Sequence, residues 1–327
     1  IMTKDDHSAV TDLDEAVNAI NRKTGRNMPQ AIATGAILIT VITLSFLFNP
    51  QPFIWLIVIF MVIGLWELRI DFAVAGLRIP VAALWVCSAA VLLGCYYAPA
   101  GYHFAAAVTG IIITLFIVLL FASFNRQHSE RAARAILAKI NTGMANDATV
   151  DDLHAARPQR YLHIAASILT VFYIPFLASF IVLPITMKHY VAHAVLLVFI
   201  PALGDTGGLL FGAVLGRHKL SERISPNKTV EGMIGSVLFT VVGTLAVGLC
   251  TYTIDELRSK WWILLILGIL LGIAGMFGDL CASMLKRDLG IKDMGHLLKG
   301  HGGVLDRVDS ILMCAPVTFF TVFFFGL

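Results

Sequence analysis

The sequence has little charge and lacks the usual phosphate-binding motifs of soluble nucleotide-binding proteins. Only 14% of its 327 residues are Asp, Glu, Lys or Arg, whereas 58% are hydrophobic. It has no Walker A motif and no Gly-x-Gly-x-x-Gly after a strand. None of the five cysteines forms a Cys-x-x-Cys pair, so neither a zinc site nor a disulfide framework is indicated. This composition indicates a polytopic membrane protein and gives no support for nucleic-acid binding.

Long apolar runs fill most of the chain. Their length and hydrophobicity predict an all-α, polytopic fold with about nine membrane-spanning helices. The predicted spans are 31–49, 53–68, 80–98, 103–123, 163–185, 191–216, 230–253, 261–285 and 306–326. We expect residues 1–27 to be a cytoplasmic segment with a short amphipathic helix and residues 28–327 to form a single transmembrane domain.

Basic residues are distributed unequally between the two sets of loops. With nine spans, 21 Lys and Arg residues fall on the side of the N-terminus, and only 3 fall on the other side, namely Lys188, Arg258 and Lys260. Because short basic loops stay in the cytoplasm, the N-terminus and the 286–307 loop are predicted to be cytoplasmic and the C-terminus external. The expected location is the cell (plasma) membrane.

Acidic side chains interrupt the last two apolar runs at their inner ends. Asp279 precedes Lys286 by seven residues, roughly 10 Å along a helix, and Ser283 shares their helical face. Asp306 and Asp309 are spaced i, i+3 and lie on one side of the final span. A charged side chain inside the bilayer costs about 2.5–3.5 kcal/mol, so these acids are predicted to be paired or functional.

The segment between the acids is basic and contains a glycine turn. Its basic residues are Lys286, Arg287, Lys292, Lys299 and Arg307, and the turn is His301-Gly302-Gly303. Small residues let a ligand approach backbone N–H groups. Acids beside bases at a membrane surface predict a site for a metal ion and phosphate groups.

This stretch resembles the signature of the phosphatidate cytidylyltransferases, or CDP-diacylglycerol synthases. The similar segments are 283–287, 292–295 and 301–309, with Lys299 where the family usually has Pro. The resemblance implies Mg²⁺-dependent transfer of CMP from CTP to phosphatidic acid in phospholipid biosynthesis, with release of pyrophosphate. It also implies that a second cation, such as K⁺, can share the site through Asp309 or Asp205.

The resemblance extends to two earlier stretches. Asp205 lies near the middle of span six and is expected either in the site or hydrogen-bonded to a neighbouring helix. The loop that begins at Ser225 is similar to the family's second motif, with Asn227 where Lys is more common. Ser225 and Lys228 are expected to bind phosphate and Thr229 to cap the next helix. The alternative is an ordinary basic cytoplasmic turn, which the loop alone would favour and the 278–310 stretch disfavours.

The candidate site can be stated by role. The expected catalytic residues are Asp279, Asp306, Lys286, Arg287, His301 and Arg307. The expected substrate-binding residues are Ser225, Lys228, Thr229, Ser283, Lys292, Gly302, Gly303, Asp205 and Glu231, the last being either a site carboxylate or a helix-dipole partner. The expected metal ligands are Asp279, Asp306 and Asp309, and the catalytic part of the chain is about 191–327.

Two features outside that site carry further predictions. Gly204, Gly208, Gly212 and Gly216 are four residues apart, which predicts close packing against another helix, within the chain or across a homodimer, with the former favoured. Glu67, beside Arg69, is expected to form a surface ion pair, with an approach to the site from another helix as the alternative.

Two other functions stay open on the residues alone. A CTP-dependent polyprenol or phytol kinase would use the same nucleotide but transfer its γ-phosphate. An ion-coupled secondary transporter would also place acids within its spans. The clustering of acids and bases at one mouth favours the enzyme, with CTP, phosphatidic acid and membrane lipid as its partners.

Overall fold

A computed structural model describes residues 28–124, 160–221, 224–291, 294 and 303–327. Its helices are α1 (Met28–Leu47), α2 (Pro50–Val74), α3 (Val81–Tyr97), α4 (His103–Phe124), α5 (Arg160–Val171), α6 (Leu177–Ile185), α7 (Tyr190–Leu215), α8 (Val230–Thr251), α9 (Ile254–Asp288) and α10 (Leu305–Phe325). A π-helical turn at Phe172–Phe176 joins α5 to α6 and contains Pro175. Because Pro has no N–H to donate, a local change of helical hydrogen bonding is expected there.

All nine predicted apolar runs lie on these helices. Seven described helical segments are long and apolar enough to cross a membrane, while Gly35–Leu47 and Val81–Tyr97 are shorter. The largest difference from prediction is α9, which has 35 residues and begins at a capping box formed by Thr253 and Glu256. At 1.5 Å per residue α9 is about 52 Å long, so it extends beyond a hydrocarbon core of about 30 Å.

The all-α prediction is confirmed, and the loop between α7 and α8 adds a small antiparallel hairpin that the sequence analysis did not predict. Its strands are β1 (Lys219–Ser221) and β2 (Ser225–Thr229), with Lys219 opposite Thr229. Thr229 then caps α8, since its side chain accepts the N–H of Gly232 at 3.0 Å. The predicted role of Thr229 as a helix cap is therefore confirmed.

Glycines bring α7 and α8 into backbone contact. A Cβ added to Gly207 would lie 2.7 Å from the carbonyl oxygen of Gly235, and one added to Gly235 would lie 2.6 Å from that of Gly207. Gly204 and Gly208 of the predicted glycine face also lie against α8. Close packing of this face within the chain is confirmed, although the closest approach is made by Gly207, which the four-residue spacing did not include.

The described helices pack their apolar side chains into two cores. One core includes Leu65 of α2, Leu84 of α3 and Leu183 of α6. The other lies between α7, α9 and α10 and includes Leu196 and Leu267. Helices α7 to α10 thus form one connected group, and their polar residues meet at one end of it.

Candidate active site

A polar cavity of about 570 Å³ lies between α7, the hairpin, α8, α9 and α10. Acidic side chains from three helices line it, and so do basic side chains from β2, α9 and α10. The acids are Asp205, Asp279, Asp306 and Asp309, and the bases are Lys228, Lys286 and Arg307. The structure therefore brings together charged residues from segments that are up to about 100 positions apart in the sequence.

Ion pairs between different elements cross this cavity. The Lys228 Nζ lies 2.6 Å from Oδ2 of Asp279, which joins β2 to α9. The Lys286 Nζ lies 2.8 Å from Oδ1 of Asp306, which joins α9 to α10. Partly buried pairs of this kind matter most when one partner is removed, because the other charge is left without compensation.

Further hydrogen bonds fix the two acids of α10. The second carboxylate oxygen of Asp306 accepts the N–H of Met294 at 3.0 Å. Asp309 is only 5% exposed, and its Oδ1 accepts the N–H of Ser310 at 2.6 Å. Both carboxylates are thus held by backbone groups close to the cavity.

A close approach between α9 and α10 sets the separation of their acids. A Cβ on Gly278 would lie 2.6 Å from the carbonyl oxygen of Asp309. Only glycine allows the two backbones to come this close. Because Gly278 directly precedes Asp279, this contact places Asp279 beside the acidic turn of α10.

Several smaller polar groups complete the cavity wall. Ser225 and Thr229 line it as predicted residues. Ser283 instead donates its hydroxyl to Oδ1 of Asp279 at 3.4 Å and is not among the described residues that line the cavity. Ser236 and Ser310 also line the cavity. Sequence analysis missed both, although Ser310 directly follows the acidic motif; Ser236 has no motif around it.

Some predicted site residues occupy other places. Glu231 accepts the backbone N–H groups of Arg217 and His218 and lies 2.6 Å from Nδ1 of His218, so it ties α8 to the start of the hairpin. It is not among the described residues that line the cavity, and neither is the exposed Arg287.

The glycine turn before α10 is described only at its last residue. A Cβ on Gly303 would collide with the carbonyl oxygen of Met294, so this buried glycine is required by a close backbone approach. Lys292, His301 and Gly302 lie outside the described residues, as do the amphipathic helix predicted in 1–27 and residues 125–159 between α4 and α5.

Glu67 requires a correction, because it does not lie on the surface. Its side chain is 0% exposed, and its two carboxylate oxygens accept the N–H groups of Val304 and Leu305 at 3.0 Å each. The prediction of a surface ion pair was wrong, because it considered only the nearby Arg69. The start of α10 covers this face of α2 and buries Glu67.

The carboxylates of the cavity meet part of the ligand requirement of a magnesium ion. Among the described residues, no group of three or more His, Cys, Asp or Glu side chains is close enough to hold a metal ion on its own. Mg²⁺ is usually bound by one or two carboxylates together with water and substrate phosphates. Asp279 and Asp306, on two facing helices, fit that smaller requirement.

Comparison with known proteins places the chain in a family. The sequence model of the Cytidylyltransferase family matches residues 29–325. The chain belongs to this family. A phosphatidate cytidylyltransferase of Mycobacterium leprae (strain TN) is 31% identical over 329 residues, which cover 97% of each chain.

Two other relatives of this cytidylyltransferase-family chain match over shorter segments. A phosphatidate cytidylyltransferase of Staphylococcus aureus (strain COL) is 44% identical over 129 residues, or 39% of this chain and 47% of the relative. The uncharacterized protein YnbB of Escherichia coli (strain K12) is 36% identical over 173 residues, or 50% of this chain and 56% of the relative. In these two cases the chain spans about half the length of the curated relative that it matches.

Proposed function

We propose that this protein transfers CMP from CTP to phosphatidic acid, giving CDP-diacylglycerol and pyrophosphate. The observation that carries the proposal is the meeting of two acid–base pairs, Lys228 with Asp279 and Lys286 with Asp306, at one polar cavity. In a cytidylyltransferase, such a cavity supplies both bases for a triphosphate and acids for its counter-ion. The full-length similarity to a phosphatidate cytidylyltransferase supports the choice of lipid substrate.

The proposed reaction is a direct displacement at phosphorus. An oxygen of the lipid phosphate attacks the α-phosphorus of CTP, and the bond from that phosphorus to the bridging oxygen of the β-phosphate breaks. Pyrophosphate leaves with the electron pair of that bond. Lys228, Lys286 and Arg307 would bind the phosphate oxygens and orient the two substrates, and no covalent enzyme intermediate is needed.

The acids of the cavity would hold the cation that accompanies the triphosphate. Asp279 and Asp306 would be Mg²⁺ ligands, with Asp309 as a further ligand, and Asp309 or Asp205 would hold a second cation such as K⁺. When bound, Mg²⁺ neutralises phosphate charge and helps to align the groups that react.

The proposed membrane arrangement follows from the basic loops. Nine helices would cross the plasma membrane, with the N-terminus and the cavity mouth in the cytoplasm, where CTP is available. The seven longest apolar helices support a multi-pass protein, and the two shorter ones, Gly35–Leu47 and Val81–Tyr97, would complete the count.

A single assay tests the reaction. Purified protein is incubated with CTP labelled at the α-phosphate, phosphatidic acid and Mg²⁺, and the lipids are then extracted. We expect label in the lipid fraction and one pyrophosphate for each labelled lipid. Recovery of CDP with a newly phosphorylated polyprenol or phytol would instead support the kinase, and the absence of any CTP consumption would contradict both enzymes.

A further inference from the structure

A second cavity lies on the other side of α10 from the polar one. It is narrow, with a volume of about 100 Å³, and it lies between α1, α2, the α5–α6 region, α7 and α10. The described residues that line it are apolar or glycine with one exception, Arg307. Arg307 also lines the polar cavity. We call this cavity the apolar groove.

The first two turns of α10 separate the groove from the polar cavity. Leu305, Val308 and Leu312 face the groove, whereas Asp306 and Asp309 face the polar cavity. Residues three or four positions apart share one face of a helix, so α10 carries one apolar and one acidic face here. Arg307 lies at the boundary between them, and among the described residues it alone lines both cavities.

This arrangement suits a ligand with a phosphate at one end and a hydrocarbon chain at the other. A guanidinium binds phosphate through paired, charge-assisted hydrogen bonds. A groove without polar lining favours an apolar occupant, because a polar group placed there would find no partner. The polar cavity and the groove therefore meet at Arg307. A phospholipid bound across this boundary would place its phosphate on the polar side and its hydrocarbon chain on the apolar side.

We infer that the apolar groove holds an acyl chain of the phosphatidate substrate while Arg307 binds its phosphate. This inference rests on the proposed function and adds a chain-binding site to it. Its consequence is selectivity: a long-chain phosphatidate gains the groove contacts, and a short-chain one gains few of them. Two other occupants, a structural lipid that is never converted and a second copy of this chain, would give no such selectivity.

Gly64 of α2 allows the groove to be filled from one side. A Cβ at this position would lie 3.7 Å from Cδ1 of Leu305 and 4.0 Å from Cδ1 of Ile174, which are ordinary contacts. A larger side chain would extend from there into the groove. Gly94 of α3 provides a matched control, because a Cβ there would meet no atom within 4 Å and the residue does not line the groove.

The test compares two substrates in each variant. Initial rates with dioleoyl and dihexanoyl phosphatidate at saturating CTP give two kcat/KM values, and their ratio measures chain selectivity. Gly64→Leu should lower that ratio by about tenfold or more, and Gly64→Ala should lower it less. Gly94→Leu should leave the ratio at the wild-type value.

Val198→Phe provides a second test from α7, which forms another wall of the groove. If Gly64→Leu fails to fold in detergent, this variant should show the same fall in the ratio. Folded groove variants whose kcat/KM ratio equals that of wild type would overturn the inference. This holds also if their thermal stability falls, because a structural lipid in the groove would affect stability but not the ratio. If wild type converts neither substrate, the proposed function itself fails, so the two failures are distinguishable.

Discussion

The Glu67 carboxylate of α2 caps Leu305, the first residue of α10, from 238 positions earlier in the chain. Its other oxygen accepts the N–H of Val304. The first N–H groups of a helix have no partner within the helix, and their partial positive charge favours an anion. Asp306 follows Leu305 directly, so Glu67 fixes the N-terminal end of α10, which carries the acids that line the cavity. It is therefore a positioning residue rather than a catalytic one.

Glu67→Gln should lower the stability of the protein. A glutamine has one acceptor oxygen, so its NH₂ group would face a backbone N–H and leave that buried donor without an acceptor. The expected loss is about 1–3 kcal/mol, measured as a lower unfolding temperature of the purified protein. Glu256→Gln is the matched control, because one carboxylate oxygen of Glu256 accepts the N–H and the hydroxyl of Thr253, both of which are exposed to water. Equal decreases in unfolding temperature for Glu67→Gln and Glu256→Gln would contradict the role of Glu67 as a buried cap.

Sequence patterns predicted the helices and the charged residues that line the polar cavity for identifiable reasons. Apolar runs of membrane length are strong signals, so the predicted spans coincide with helices. Asp279, Asp306 and Lys286 were expected together because charges at the inner ends of consecutive spans must lie near one membrane surface. Lys228 was assigned through the resemblance of its loop to the family's second motif, whereas the helix cap at Thr229 also follows from the preference for Thr at such positions.

Contacts between distant segments could not be read in the same way. Nothing near Glu67 in the sequence indicates that α10 covers it, and the adjacent Arg69 suggests the opposite. The pairing of Lys228 with Asp279 depends on how β2 lies against α9, and no local sequence pattern indicates that contact. The hairpin itself was missed because its strands are short and polar, with no alternating apolar pattern.

Lys228→Ala should raise the KM for CTP strongly while changing the unfolding temperature of the protein little. The side chain is 18% exposed, and its ammonium group would exchange the Asp279 carboxylate for a phosphate oxygen. Loss of a charge-assisted hydrogen bond of about 1.5–3 kcal/mol corresponds to a KM about 10- to 100-fold higher. Lys219→Ala is the control, since Lys219 lies on the same hairpin but is not among the cavity-lining residues. An unchanged KM for Lys228→Ala would remove this residue from the phosphate site.

The proposed orientation can be measured with single cysteines in a cysteine-free background. Asp288→Cys, at the end of α9, should be labelled by a membrane-impermeant thiol reagent only after the cells are opened. Lys188→Cys, between α6 and α7, should be labelled in intact cells. Both positions are exposed in the structure, so each serves as the accessibility control for the other. Labelling of Asp288→Cys in intact cells would show that the charge asymmetry predicts the wrong orientation.

Asp279→Asn and Asp306→Asn should each abolish most turnover while the protein stays folded. The amide keeps the size of the side chain but removes the charge that a hard divalent cation requires. A loss of several kcal/mol in transition-state stabilisation corresponds to a rate decrease on the order of 100-fold or more. Asp255→Asn, on the exposed first turn of α9, is the control and should retain wild-type turnover.

The Asp306 variant also leaves the Lys286 ammonium group, 2.8 Å away, without its carboxylate, which alone would destabilise the protein. The double variant Lys286→Met with Asp306→Asn separates this effect from catalysis. Removing both charges should restore part of the lost unfolding temperature, because no uncompensated charge remains, whereas turnover should stay lost. The comparison is made by thermal unfolding and by CTP turnover across a Mg²⁺ titration. Near-wild-type turnover by folded Asp279→Asn and Asp306→Asn proteins at every Mg²⁺ concentration would rule out both acids as ligands, since no neutral side chain of the same shape can replace their charge.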